Sequence, residues 1–428
     1  MTMNPTIHTL YRSFWQTVSL LVLYSTVALF NALRFLPSAP LEDTLPYHHV
    51  QAFSHILLKV AIFSGLMTGG LYVLISARPE ATARNQRALL WGHRLWTGFV
   101  GLALLMGVLG QTDGRHMLEL PFWLSAGFFA ILVGYVLLFV QNNDGWGAFS
   151  IVFITGFAIA TACHALGMVT LADPAQDRIW RVLSVNLQLN VGFVLMSVAL
   201  IFWQIRRFSQ VSQEWADKSL YNVGGLLALA GGFVSLSPLY ALGINNDLGV
   251  LALVIVPVLL AIFGAHIYRA LSSHHASYTL SGHWVALSVL LCLLSLGGLG
   301  AITAIPSVAF YTQGTRLTDL QSTLIALSIV SALFGMTNQA IAEMRGENRR
   351  VTGLLPFWLV SFGIIGGGLA LCLAGVVQVY MERLLTFGYL DTQTALAPLY
   401  TLWVAGLVAN ALGMGIYALG LRARHVQV

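Results

Sequence analysis

The stretch HHVQAFSHILLKVAIFSGLMTGGLYVL, residues 48–74, decides the fold. Its first half places His48, Gln51, His55 and Lys59 three or four residues apart, on one face of a helix. Beyond Lys59 the run is free of charge, and the whole is long enough to cross about 30 Å of hydrocarbon as a helix. A membrane strand would show short segments of alternating polarity instead. An ionisable residue such as Lys59 is costly inside lipid, so it is expected to face the interior of a helical bundle.

The rest of the chain repeats this pattern. Hydrophobic residues make up 57% of the 428 positions, charged ones 9%, and mean hydropathy is +0.78, the composition of an integral membrane protein. A 19-residue window finds apolar segments at 12–35, 51–77, 90–111, 120–140, 147–170, 182–204, 220–241, 247–270, 282–305, 317–342, 353–378 and 395–421. The expectation is therefore an all-α bundle of about twelve transmembrane helices, forming one domain over residues 1–428. The joining loops leave no room for a soluble domain, and no cleavable signal peptide is evident.

Basic residues are retained on the cytoplasmic side during insertion. With both termini inside, that side gathers Arg12, Arg78, Arg84, Arg87, Arg94, Arg206, Arg207, Lys218, Arg269, Arg345, Arg349, Arg350, Arg422 and Arg424. The other side receives only Arg34, Arg115, Arg178, Arg181, Arg316 and Arg383. Cytoplasmic termini are expected, and the net charge of +5 reads as topology rather than as a nucleic-acid surface. Cys163, Cys292 and Cys372 lie in apolar segments without metal-site spacing, and glycines such as Gly65, Gly69 and Gly366–Gly368 read as close helix packing.

Neutral imidazole ligates haem and other metals, so the histidines at membrane depth are the candidate ligands. His49, His55 and His164 are best placed, the last in FAIATACHALGMV, residues 157–169. The paired His274 and His275 of SSHHASYT, residues 272–279, fall in a loop on the cytoplasmic side and read as solvated.

Three short stretches carry a family resemblance. GQTDGRHMLELPFW, residues 110–123, is similar to a G-R-E-Y-A-E loop between the third and fourth helices. LNVGFVLM, residues 189–196, is similar to H-N-A-V-G-F-F-L in the sixth. SVAFYTQGTRLTDLQSTL, residues 307–324, resembles a run ending S-H-Y-T-D-W-T-I-G-H-V-H-S-G-A-L that enters the tenth. Together with twelve helices they resemble the central subunit of the haem-copper oxidases, in particular the C-family, which is cbb-type and nitric oxide reductase-like.

The resemblance implies an absence. The two haem histidines of H-V-H fall on Asp319 and Gln321, the sixth-helix copper ligand on Gln188, and the paired copper histidines of G-P-H-H on Leu239 and Tyr240 after Pro238. The resemblance with those losses implies a subunit that is not catalytic by itself, a pseudoenzyme supporting a respiratory electron-transport complex in a bacterial inner membrane. It implies partner membrane subunits, among them a cytochrome c subunit, with side chains, lipid or quinone in the former haem cavities and no nucleic acid. No cofactor is expected. The alternatives are a haem-binding oxygen or nitric oxide reductase of unusual ligation, one low-spin haem held by His49 or His55 with His164, and a membrane transporter. With the haems gone, Lys59 is expected to meet Asp319 or Gln321, with backbone carbonyls as the fallback.

Overall fold

The computed structural model describes residues 5–36, 47–77, 82–112, 120–141, 143, 145–209, 211–241, 246–272, 280–346 and 352–422. These residues are predominantly helical, with no strand among them, and twelve helices are long and apolar enough to cross a membrane. In chain order they are α1 (Thr6–Leu33), α2 (His49–Ser76), α3 (Arg87–Val108), α4 (Phe122–Gln141), α5 (Ala148–Met168) and α6 (Pro174–Phe208). After these come α7 (Gln213–Tyr240), α8 (Asp247–Ser272), α9 (Leu280–Thr303), α10 (Arg316–Met344), α11 (Leu355–Leu384) and α12 (Tyr389–Leu421). The expected all-α membrane bundle is the fold that forms. The loop over 113–119, His274 and His275, the side chains of His48 and Arg84, and Arg78, Arg349, Arg350 and Arg424 lie outside the described residues.

Burial sorts the helices. The most apolar window of α2 is entirely buried and those of α6 and α10 nearly so, whereas α3, α8 and α12 bury about a third or less. The central three carry most of the polar residues singled out above, as expected where buried polar groups must face protein. The outer helices present Leu102, Val254, Phe362, Leu369 and Leu402 outward, the apolar surface a bilayer solvates.

Local chemistry explains where α6 begins, eight residues before the apolar window. Asp173 caps it by accepting from Ala175 N at 2.9 Å, and Pro174 occupies the first turn, where a missing N–H costs nothing. Asp177 then accepts Leu171 N at 2.9 Å and pairs with Arg181, so a polar amphipathic overhang precedes the spanning part. Three spans contain π-helical turns, Gln188–Phe193 in α6, Leu293–Gly300 in α9 and Val379–Leu384 in α11. Such turns are frequent at functional positions, and the first begins at Gln188. A short helix, Pro306–Thr312, joins α9 to α10 and has no counterpart in the expected segments.

Helix approach around that turn is backbone to backbone. A Cβ on Gly192 would stand 2.9 Å from Ala160 N, and one on Gly231 only 2.1 Å from Asn190 O, so α5, α6 and α7 close on one another there. Gly363 and Gly406 do the same for α11 and α12.

Candidate functional site

The half of the bundle in which α2 begins at His49 holds three polar features. The first is buried. Lys59 of α2 is 7% exposed and His164 of α5 is 1% exposed. Lys59 Nζ donates to His164 Nδ1 at 3.3 Å, while His164 Nε2 donates to the Ser125 carbonyl of α4 at 3.1 Å. The carbonyl can only accept, which fixes the proton on Nε2 and leaves the Nδ1 lone pair facing the ammonium. The Phe128 ring lies 4.8 Å from the imidazole, centroid to centroid, and 5.8 Å from Lys59 Nζ, adding a cation–π contact.

This overturns the expected pairing of Lys59 with Asp319 or Gln321. Asp319 is paired within its own helix to Arg316 Nη1 at 3.3 Å, and its side chain is 61% exposed. Depth and azimuth both explain the difference. Asp319 sits in the first turn of α10, and a helix turns 100° per residue, so Lys59 is rotated about 40° from His55 and about 80° from Gln51. The stripe therefore divides. Gln51 and His55 face α1, α10 and α12, and Lys59 reaches α4 and α5.

The second feature is a cavity of about 160 Å³ between α1, α2, α10, α11 and α12, with Tyr24, Gln51, Ser54, His55, Asp319 and Trp403 in its wall. The third is a cavity of about 200 Å³ between α6, α7, α10 and the Pro306–Thr312 helix, into whose wall Arg181, Asn186, Asn190, Pro238, Asp319 and Gln321 contribute. Asp319 and Ser322 border both. The amide of Gln321, a residue 8% exposed, makes no hydrogen bond to any described residue.

The other positions named from the resemblance are satisfied by neighbouring backbone. Gln188 Nε2 donates to Ala160 O at 2.7 Å, and Tyr240 Oη donates to Phe233 O at 3.1 Å. Leu239 is half-buried beside Tyr240.

The three candidate haem ligands do not share one neighbourhood. His49 packs against Gly110, whose positive φ of 67° turns the chain under the ring; a Cβ at Gly110 would meet it at 2.7 Å. His55 faces the 160 Å³ cavity, and His164 has both ring nitrogens engaged. A haem ligand needs a free nitrogen lone pair with the other N–H held by an acceptor. His164 as placed supplies the held N–H but not the free lone pair, so a haem bridged by His164 does not fit this arrangement. Among the described residues no group of three His, Cys, Asp or Glu side chains could hold a metal ion.

Two elements escaped the sequence reading. Tyr24, in an apolar helix, gave no periodic signal as a cavity residue. At the opposite end of the bundle Glu343 of α10 accepts from Tyr72 Oη at 2.8 Å and Gln339 Nε2 at 3.0 Å, with Arg207 at 3.7 Å, tying α2, α6 and α10 together. A glutamate spaced four residues after a glutamine, on a helix that also bears Asn338, was the only available sign.

Fold and site thus define a multi-pass helical membrane protein whose polar residues gather among its most buried helices. Over 94% of its length the chain is 21% identical to a nitric oxide reductase subunit of Stutzerimonas stutzeri, covering 92% of that protein. A likeness spread along the whole chain fits the haem-copper oxidase superfamily resemblance. No family model matches the sequence.

Proposed function

We propose that the chain is a non-catalytic, haem-copper oxidase subunit I-like membrane subunit that supports a bacterial respiratory complex. The observation that carries this reading is that most of the polar side chains where metal ligands would fall are engaged within the protein, Gln321 being the exception. Gln188 and Tyr240 spend their polar hydrogens on backbone carbonyls, Asp319 is held by Arg316, and the buried imidazole of His164 is held between an ammonium and a carbonyl. Oxygen or nitric oxide reduction requires a haem with an open position beside a second metal, and amide, leucine and tyrosine side chains do not build that centre. The likeness to a subunit of a nitric oxide reductase supports membrane partner subunits; the reading adds a cytochrome c subunit among them and, from the distribution of basic residues, a bacterial cytoplasmic membrane with both termini inside.

The test is purification of the tagged chain from its native membrane, with its partners and then stripped of them. Haem is measured by pyridine extraction, copper by mass spectrometry, and oxygen and nitric oxide consumption by electrode. The expected result is co-purifying membrane subunits and an isolated chain without haem, copper or turnover. Stoichiometric haem and copper on the isolated chain, with turnover, would refute the reading.

A further inference from the structure

The end of the bundle where α1 and α3 begin carries charge that the protein does not neutralise. Lys218, Arg206, Arg207 and Arg345 at that end are held by Glu214, Gln213, Glu343 and the Leu421 carbonyl. Arg12, Arg87 and Arg94 are not. All three are exposed, and none meets an acidic side chain among the described residues. They also converge on one seam. Ser13 is bonded to His93 Nδ1 at 2.8 Å, and Thr97 Oγ1 donates to Gln16 Oε1 at 3.2 Å, so α1 and α3 lie side by side and parallel. Arg12 precedes Ser13 and Arg94 follows His93; at about 100° per residue, those single steps turn both arginines out on the same side of the seam. Arg87, seven residues before Arg94, shares its face about 10 Å nearer the helix start. Trp91 lies between them, 60% exposed, with its ring 5.4 Å from the Arg94 guanidinium.

Further along both helices the seam changes character. The Gln16–Thr97 pair faces outward, and Gln16 Nε2 donates to no described residue. Deeper still, Gly98 and Gly101 are exposed, and a Cβ on either would meet nothing within 4 Å. Packing within the chain therefore does not call for glycine there, although glycine weakens a helix. Cations, then one amide donor, then an open apolar track follow the order of a phospholipid: phosphate, ester carbonyl, acyl chain. Guanidinium groups suit phosphate oxygens, and tryptophan favours the headgroup level. Three cations without an acid favour a headgroup that adds no positive charge of its own. We propose that the α1–α3 seam binds an anionic phospholipid, with its phosphate between Arg12 and Arg94, an ester carbonyl on Gln16 Nε2 and an acyl chain over Gly98 and Gly101. The site does not depend on the haem content of the chain or on which side of the membrane this end faces.

The test uses the full chain in phosphatidylcholine nanodiscs with phosphatidylglycerol bearing a diazirine on one acyl chain as probe, and cross-links are mapped by mass spectrometry. The expected result is saturable labelling of α1 or α3 peptides, displaced by unlabelled phosphatidylglycerol but not by phosphatidylethanolamine. Arg12→Gln and Arg94→Gln should each raise the half-saturating probe fraction about fivefold, the weight of one basic residue near an anionic surface. Arg269→Gln, at an exposed arginine of α8, should leave it unchanged. Gly101→Leu, which fills the open track without altering charge, should lower labelling as well. Size-exclusion profiles identify any variant that fails to fold, and the remaining variants then decide. Labelling spread evenly over the lipid-facing helices, displaced equally by phosphatidylethanolamine, or indifferent to both arginine changes would overturn the proposal. So would cross-linking of the α3 peptides to another subunit in place of lipid when the probe is used in native membranes, since the seam would then be a protein contact.

Discussion

Replacing His164 by Leu should destabilise the protein more than replacing Lys59 by Met, and the double replacement should recover most of the loss. Lys59 is 7% exposed, and His164 Nδ1 is the acceptor placed 3.3 Å from its ammonium. Removing one partner of a buried charged pair costs about 3–5 kcal/mol, because the remaining charge stays desolvated. The Phe128 ring, 5.8 Å from Nζ, returns about 0.5–2 kcal/mol of that in His164→Leu. Lys59→Met removes the charge itself and leaves only a neutral imidazole acceptor unpaired, at about 1–3 kcal/mol. In the double variant no polar group of the pair remains, and apolar replacement of a buried pair is often neutral. The expected order of stability is wild type and double variant, then Lys59→Met, then His164→Leu, with a coupling between the sites equal to the sum of the two single losses, about 2–7 kcal/mol. Membrane proteins commonly unfold irreversibly in detergent, so the readout is the temperature of half-loss of the monodisperse chromatographic peak at a fixed heating time. His164→Leu as stable as Lys59→Met, or a double variant no better than His164→Leu, would refute the pairing as the determinant.

Gly231→Ala should disrupt the α6–α7 contact and cost about 1–3 kcal/mol or more, since the new Cβ meets Asn190 O at 2.1 Å, while Gly225→Ala on the same helix meets nothing within 4 Å and should be neutral or slightly stabilising; thermal stability of both variants checks this. Gln188→Leu removes the 2.7 Å bond to Ala160 O and should lower stability by about 1–2 kcal/mol without changing metal content, which thermal stability and mass spectrometry measure together. In a Cys372→Ala background, whose remaining cysteines are both buried, Ser212→Cys should react with a membrane-impermeant maleimide only from the cytoplasmic side and Gln313→Cys only from the opposite one; the reverse would invert the topology.

The twelve spans were legible because hydrocarbon imposes one rule on every segment, length and apolarity, that a window average detects directly. Their ends were less so. The α6 overhang is built from Asp173, Pro174, Asp177 and Arg181, a polar helix start held by side-chain bonds rather than by lipid, and a hydropathy window reads such residues as loop. Residue types at the site were legible too, since Lys59 and His164 stand out in apolar surroundings. Their partnership was not, because it links positions 105 apart in sequence and depends on the rotation of α2 about its own axis.

That rotation also explains why the polar stripe of α2 serves two neighbours. A helix enclosed on all sides cannot hide four polar residues against one partner, because each successive turn shifts the stripe around the axis. Gln51 and His55 consequently open onto the α1–α12 side, where a cavity remains, and Lys59 falls on the α4–α5 side, where Phe128, Phe63 and Phe157 pack closely and the imidazole of His164 receives it. The two sides make opposite demands. On the packed side each polar group must be satisfied by protein, so Lys59 and His164 form a fixed structural pair whose loss is read as instability. On the open side Tyr24, Gln51 and Ser54 are left with hydrogen-bonding capacity that the described protein does not use. Changes on the packed side should therefore lower stability sharply, and changes on the open side should lower it little. A Gln51→Leu variant that loses stability as severely as His164→Leu would contradict that division, because it would show the Gln51 amide to be engaged by the fold itself.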